Sequence, residues 1–309
     1  MTKLTDDTGL SGSHLLCIGL GYTAGALARR LSKRGVDISG TTRTNAGAAT
    51  LTAAGWRGLV FDGTDVSWDL AEAISRATHI LVSAAPDEAG DPVLARLGPN
   101  LAKSSNLGWI GYLSTIGVYG DHNGNWIDET AVPRDPGVRG QRRLDAEASW
   151  LAFGAEHGAR VEIFRLPGIY GPGRSAIDQL REGTARRIDK SGQVFNRIHV
   201  DDIATALEAA MDRPTEHSIF NLCDDEPAPA PDVVAYAAEL LGLPVPPLIP
   251  FAQAQLSPMA ASFYAQSKRV SNQRMKTALR VTLAYPTYRE GLASILRALR
   301  STSGTAPGH

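Results

Sequence analysis

Gly19, Gly21 and Ala24 stand at the GxGxxA interval inside the run HLLCIGLGYTAGALARRL (residues 14–31), with Gly25 as a further small residue. Small side chains at this spacing let the backbone turn tightly and let a phosphate reach the N–H groups of a starting helix. The preceding residues 15–18 are continuously apolar, which predicts a strand buried on both faces, and Leu27, Ala28 and Leu31 set a helical stripe after the turn. This strand–turn–helix context is what a dinucleotide fingerprint requires. The expected chemistry at Gly19, Leu20, Gly21 and Tyr22 is therefore the cradling of a pyrophosphate. Residues 36–42 read as a second strand ending in Thr41, Thr42 and Arg43, where an acidic residue would bind the ribose 2′-hydroxyl of NAD. Hydroxyls and a guanidinium suit a 2′-phosphate instead, so NADP is the favoured cofactor, with NAD as the alternative. Asp62 and Gly63 close a third strand at 58–61, from which a carboxylate can accept from an adenine amino group. Ala84, Ala85 and Pro86 follow a fourth strand at 79–83 and put small residues where the sheet edge passes the cofactor.

Strands at 109–113 and 161–166 continue the series, with helical patterns between them. That alternation implies right-handed crossovers and an α/β fold: a Rossmann-type, doubly wound, mostly parallel sheet whose ligands sit beyond the carboxyl ends of its strands. The proline-rich stretches 224–231 and 243–250 break the pattern. We expect a disordered tail at 1–12, a dinucleotide-binding domain at 13–222, a smaller substrate-binding part at 223–300 joined by the insertion 168–196, and a disordered tail at 301–309. The chain has 309 residues, 43% apolar and 20% charged, with a formal net charge of -1. This is the composition of a soluble globular protein and gives no electrostatic case for nucleic acid. Only Cys17 and Cys223 occur, no signal-like or membrane-length apolar run is present, and the cytoplasm is the expected compartment. No His/Cys spacing suits a metal.

Four motifs in order, the glycine turn, STIGVYG (114–120), RLPGIYGPG (165–173) and RIHVDDIA (197–204), resemble the extended short-chain dehydrogenase/reductase superfamily, the NAD-dependent epimerase/dehydratase group. The resemblance spans residues 15–299. It implies an NAD(P)-binding Rossmann domain, a smaller substrate part, carbonyl/alcohol redox chemistry and a cofactor set that includes Pro167 and Ile169. The family uses a Ser or Thr before the VYG turn, matched here by Thr115, and a Tyr-x-x-x-Lys pair on the next long helix. There this chain departs, with Arg139 in place of the tyrosine and Arg143 in place of the lysine. A guanidinium with a pKa above about 12 cannot act as a base at neutral pH. Arg143 can still donate to the nicotinamide ribose, and Arg139 can polarise a carbonyl or bind an anion. The proton must then come from water, from Tyr119 or from the substrate itself.

Tyr264 and Lys268 form the one Tyr-x-x-x-Lys of the chain, but in the predicted cap, where a solvated helix face is the expectation. Tyr170 reads as a packed turn aromatic. His199 reads as a packed histidine, and Asp201 or Asp202 as the cap of a helix at 203–211. Arg174 and Arg181 hint at an anionic group. The expected function is an NAD(P)-dependent oxidoreductase or epimerase-like enzyme acting on a small hydroxyl- or carbonyl-bearing substrate. The alternative is a regulator that kept the dinucleotide site, lost the acid/base pair and reports the cofactor's redox state to a protein partner.

Overall fold

A computed structural model describes residues 9–303. Side-chain alternation in the first strand, β1 (His14–Ile18), sets the architecture. Leu15 and Cys17 enter one core, Leu16 and Ile18 another, and all are fully buried. A strand of this kind needs helices on both faces of its sheet. Helix α1 (Tyr22–Ser32) and the helix Val200–Asp212 cover the first face, while Trp68–Arg76, Pro92–Leu101 and the long helix Gly137–His157 cover the second.

The sheet has seven strands, all parallel. From one edge the order is Ile219–Asn221, Arg160–Leu166, β5 (Trp109–Thr115), β4 (His79–Val82), β1, β2 (Asp37–Thr42) and β3 (Arg57–Val60). The chain order reverses between β1 and β4, and the carboxyl edge at that reversal is where a doubly wound sheet offers a crevice. Six of the seven strands are expected from their apolar runs. Ile219–Asn221 is not, because three residues are too few to show a period, and only pairing with Arg160–Leu166 makes them a strand.

Tyr170, Ile177, Val233, Ala237, Tyr288 and Leu292 form a separate small core beside the sheet's open end. It draws on both the 168–196 insertion and the later residues. Met275, Leu279, Val281 and Leu283 return to the main core, so the later residues are not purely a cap.

Three local expectations are corrected. Within the expected tail at 1–12, Leu10 is buried in the main core; residues 1–8 lie outside the described residues. At the other end the last helix runs Tyr288–Ser303, past the expected boundary at 300; residues 304–309 also lie outside. The cap of the helix Val200–Asp212 is His199, whose Nδ1 accepts from Asp201 N (3.2 Å). Asp202 is occupied elsewhere, accepting from Ala284 N (2.7 Å) and Tyr285 N (3.0 Å), and so ties the C-terminal segment down. Among the described residues no helix is long and apolar enough to cross a membrane.

Candidate coenzyme and catalytic site

The turn after β1 is held by the neighbouring strand. Gly19, at φ +87°, donates its N–H to Thr41 Oγ1 (2.9 Å), and Leu20 donates its own to the Thr41 carbonyl (2.9 Å). Thr41 is therefore buried behind the turn as its support, and of the three residues Thr41 to Arg43 only the last two face outward. Leu20 turns its side chain inward over Gly40, where a Cβ would lie 2.2 Å from Leu20 Cδ1. With both its N–H and its side chain used internally, Leu20 shapes the turn and has little left to offer a ligand.

Gly21 caps α1 without a side-chain hydrogen bond, and a Cβ there would meet nothing within 4 Å. The first turn closes through Gly25 N to Gly21 O (2.8 Å), so the N–H groups of Tyr22, Thr23 and Ala24 have no acceptor within the helix at the positive end of its eleven residues. Such an end favours an anion. Tyr22, in that first turn, donates its hydroxyl to Pro172 O (3.1 Å) and lies under the Arg174 guanidinium at 5.7 Å. It joins the turn to the RLPGIYGPG loop.

Beside the turn a cavity of about 420 Å³ is walled by Gly19, Thr42, Arg43, Asp62, Gly63, Ala84 and Ala85, with Ile18, Thr41, Phe61, Asp87 and Pro92 completing it. Four consecutive strand ends thus converge on one space. Arg43, exposed, has no carboxylate partner among the described residues. Asp62 accepts from Thr64 N (3.0 Å) and Oγ1 (2.6 Å), and these bonds hold its carboxyl below the usual range. Pro86, Pro167 and Ile169 stand outside this wall. Ile169 lines a second cavity, of about 450 Å³, with Arg174, Arg197 and Tyr288.

At the end of β5, Thr115 is half-buried and its Oγ1 accepts from Gly117 N (3.1 Å), which leaves its proton free to be donated. The long helix packs its Gly140 on this turn, where a Cβ would approach Gly117 O to 3.1 Å. One turn later Arg143 donates from Nη1 to both Tyr112 Oη (3.0 Å) and Leu113 O (3.0 Å). A further turn on, Glu147 accepts from Ser114 Oγ and from Arg165 Nη2 (2.6 Å), all buried. The sequence reading missed this Glu147–Arg165 pair. Its only local signal is the four-residue step from Arg143.

Two phenols beside the end of β5, Tyr112 and Tyr119, are withdrawn into the core. Tyr119 is fully buried, donates to Asn221 Oδ1 (2.8 Å), lies under the Arg165 guanidinium at 4.7 Å, and is pushed by burial up to about 12. This corrects its expected part as proton donor: burial gives a substrate no approach to its hydroxyl. Tyr112, the phenol beside Arg143, is buried too, and Tyr170 donates to Thr287 O (3.3 Å). Arg139 is exposed.

Tyr264 and Lys268 are not a solvated face. Tyr264 is buried between Phe195 and Phe251. The Lys268 ammonium, 5% exposed, donates to Gly120 O and to Gln266 Oε1 (2.8 Å), and burial lowers it to about 8. No group of three or more His, Cys, Asp or Glu among the described residues is placed to hold a metal.

No family model matches the chain. A conserved protein of unknown function from Silicibacter pomeroyi DSS is 47% identical, with a TM-score of 0.84 over 93% of this chain and 99% of that one. A protein from Methylobacillus flagellatus provisionally assigned as an NAD-dependent epimerase/dehydratase is 26% identical, with a TM-score of 0.70 over 94% and 99%. Protein YeeZ of Escherichia coli K12 is 29% identical over 74% of this chain and 84% of its own. The chain belongs to one family with the Silicibacter pomeroyi protein, and its structural neighbours include a protein assigned to the NAD-dependent epimerase/dehydratase type.

Proposed function

We propose that this chain is an NADP(H)-dependent oxidoreductase of the epimerase/dehydratase type, acting on a small substrate that carries a hydroxyl or carbonyl group. The observation that carries the reading is the cavity where the ends of β1 to β4 meet beside the uncapped start of α1. Its residues suit a dinucleotide: N–H groups without a helical acceptor for the pyrophosphate, small residues along the sheet edge, and a carboxylate at Asp62 for the adenine side. The NAD-dependent assignment of the Methylobacillus flagellatus protein supports a nicotinamide cofactor. Arg43, unpaired at the cavity wall with Thr42 beside it, favours the 2′-phosphate of NADP. The substrate is received between the sheet edge and the smaller core. Two free, buried cysteines and the absence of a membrane-length helix among the described residues are consistent with our placing it in the cytoplasm.

When bound, the dinucleotide accepts or supplies a hydride. The chain's part is to hold the reacting oxygen. Thr115 donates its hydroxyl proton to that oxygen while its lone pair stays on Gly117 N. Arg143, anchored on Leu113 O, keeps Nε and Nη2 for the nicotinamide ribose. Arg139 polarises the substrate without a proton transfer; water supplies the proton when a carbonyl is reduced and takes it up when an alcohol is oxidised.

With NADPH and a panel of aldehydes, ketones and sugar nucleotides, Thr115→Val is expected to lower kcat by about 10²-fold, the scale of a lost oxyanion donor. Unchanged turnover on a confirmed substrate overturns the role of Thr115. Arg43→Asp is expected to weaken NADPH binding by about tenfold or more in calorimetry, with NADH less affected. Equal affinity of the unaltered protein for NADH and NADPH overturns the NADP assignment.

The burial of Tyr112, Tyr119 and Tyr170 favours a second reading, a dinucleotide-binding regulator. It predicts tight NADPH binding without turnover, and a protein partner whose affinity follows the cofactor's redox state.

A further inference from the structure

Helix α1 carries the coenzyme turn at its start and a different surface at its end. Tyr22 lies near Asp201, and Arg30 and Arg34 reach Glu208, so α1 and the helix Val200–Asp212 run side by side in the same direction. Along their outer side lies a groove of about 950 Å³. Alanines line it: Ala26 and Ala204, nearly fully buried between the two helices, and the exposed Ala54 and Ala284 on the flanking loops. Its rim is cationic. Arg29, Arg30, Lys33 and Arg34 line it against two carboxylates, Glu208 beneath the arginines and Asp201 at the far end.

Glu208, 6% exposed, pairs with Arg30 and with Arg34 (2.8 Å), and so fixes two guanidinium groups at the rim. Arg29 and Lys33 also line the groove and have no carboxylate partner among the described residues. At one end Trp56 is anchored through Nε1 to Ser32 Oγ (3.0 Å), and at the other Tyr285 packs on His199 at 4.0 Å between ring centroids. Small lining residues, a fixed cationic rim and aromatic ends are the complement of a helix with one small apolar face and acidic flanks. The stretch of α1 from Ala26 to Ser32 is about 9 Å long, room for roughly two turns of such a helix.

We propose that this groove docks an acidic amphipathic helical segment of a protein partner. The charge of the rim selects a polyanion, and the alanine lining selects a packed helix over an extended or unstructured chain. The assignment is independent of whether the coenzyme site turns over a substrate.

The test uses the full chain and three fluorescein-labelled fourteen-residue peptides: one with a Leu/Ala face flanked by Glu, its scrambled form, and the same design with Lys for Glu. The first is expected to bind at least tenfold more tightly than the other two, and less tightly as salt rises. The double variant Arg29→Glu/Lys33→Glu is expected to lose at least tenfold of that affinity while its melting temperature and NADPH affinity stay unchanged. Equal binding of the scrambled peptide, or binding that survives the double variant, overturns the proposal. Displacement of the peptide by tripolyphosphate at low micromolar concentration overturns it in favour of a free anion. Self-association in sedimentation that the double variant abolishes overturns it in favour of a second copy of this chain.

Discussion

Glu147→Ala is expected to destabilise the protein by about 3–5 kcal/mol, read from urea or guanidinium unfolding. The cause is what remains after truncation. Arg165 donates from Nε and Nη2 to Glu147 in the core, and Ser114 donates its hydroxyl to the same carboxylate. Without it a buried guanidinium and a buried hydroxyl are both left without an acceptor, and the first dominates because charge is far costlier to bury unpaired. Ser114 and Arg165 are partners across the ladder between β5 and Arg160–Leu166, one residue before Thr115. The damage is therefore expected at the end of β5, with weaker substrate turnover even in the folded fraction. Replacing both charges together, as Glu147→Leu/Arg165→Met, is expected to cost less than Glu147→Ala alone. A loss below about 1 kcal/mol for Glu147→Ala would show that the pair is solvated and the network argument wrong.

The second large effect is at Asp224, where Asp224→Asn is expected to stabilise the protein in a pH-dependent way. Asp224 is 2% exposed, its Oδ2 has no hydrogen-bond partner among the described residues, and burial pushes its carboxyl up to about 8 despite the nearby Arg197 guanidinium. The ordinary carboxyl value is 3.8. Below that value the group is protonated in both states and affects neither. Between about 4 and about 8 the folded protein keeps a proton that the unfolded chain has released, so stability falls as pH rises through this window. Each unit of such a shift corresponds to about 1.4 kcal/mol, which makes the penalty several kcal/mol near pH 8. Asparagine keeps the shape and removes the titration. The difference in unfolding free energy between the Asp224→Asn variant and the unaltered chain is expected to grow from pH 4 to pH 8 and then level off. A difference that is flat across this range would mean that Asp224 is ionised in the folded state.

Both effects depend on residues that a sequence reading passes over. Glu147 lies in an ordinary stretch of a charged helix, and Asp224 in a run, DDEPAPAP, whose composition suggests a loop. The elements legible in the sequence share one property: their shape is set by neighbours along the chain. The apolar run at 15–18 and the small residues at 19, 21 and 24 specify a buried strand, a tight turn and a helix start within about a dozen residues. Strand ends placed from their apolar runs brought Thr42, Arg43, Asp62, Gly63, Ala84 and Ala85 onto one wall. Where the reading missed, a polar side chain had been judged by its own segment. Lys268 looked solvated because YAQSKRV is polar, yet its partner Gly120 is 148 residues away. Tyr119 looked available because it ends a turn, yet Asn221, 102 residues on, takes its hydroxyl.

The sequence by itself determined the doubly wound sheet, the position of the glycine turn after its first strand, and the arginines at 139 and 143 of the long helix. Periodicity and steric demand are local properties, so they survive in the order of residues. Only the tertiary structure decided which polar groups face the crevice and which are enclosed. It put Thr41 behind the turn, left Thr115 half-buried at the end of β5, tied Arg143 back onto that strand, and enclosed Tyr112 and Tyr119. Burial and hydrogen-bond partnership depend on segments far apart in the chain coming into contact, and that contact sets whether a phenol, a carboxylate or a guanidinium can act on a ligand.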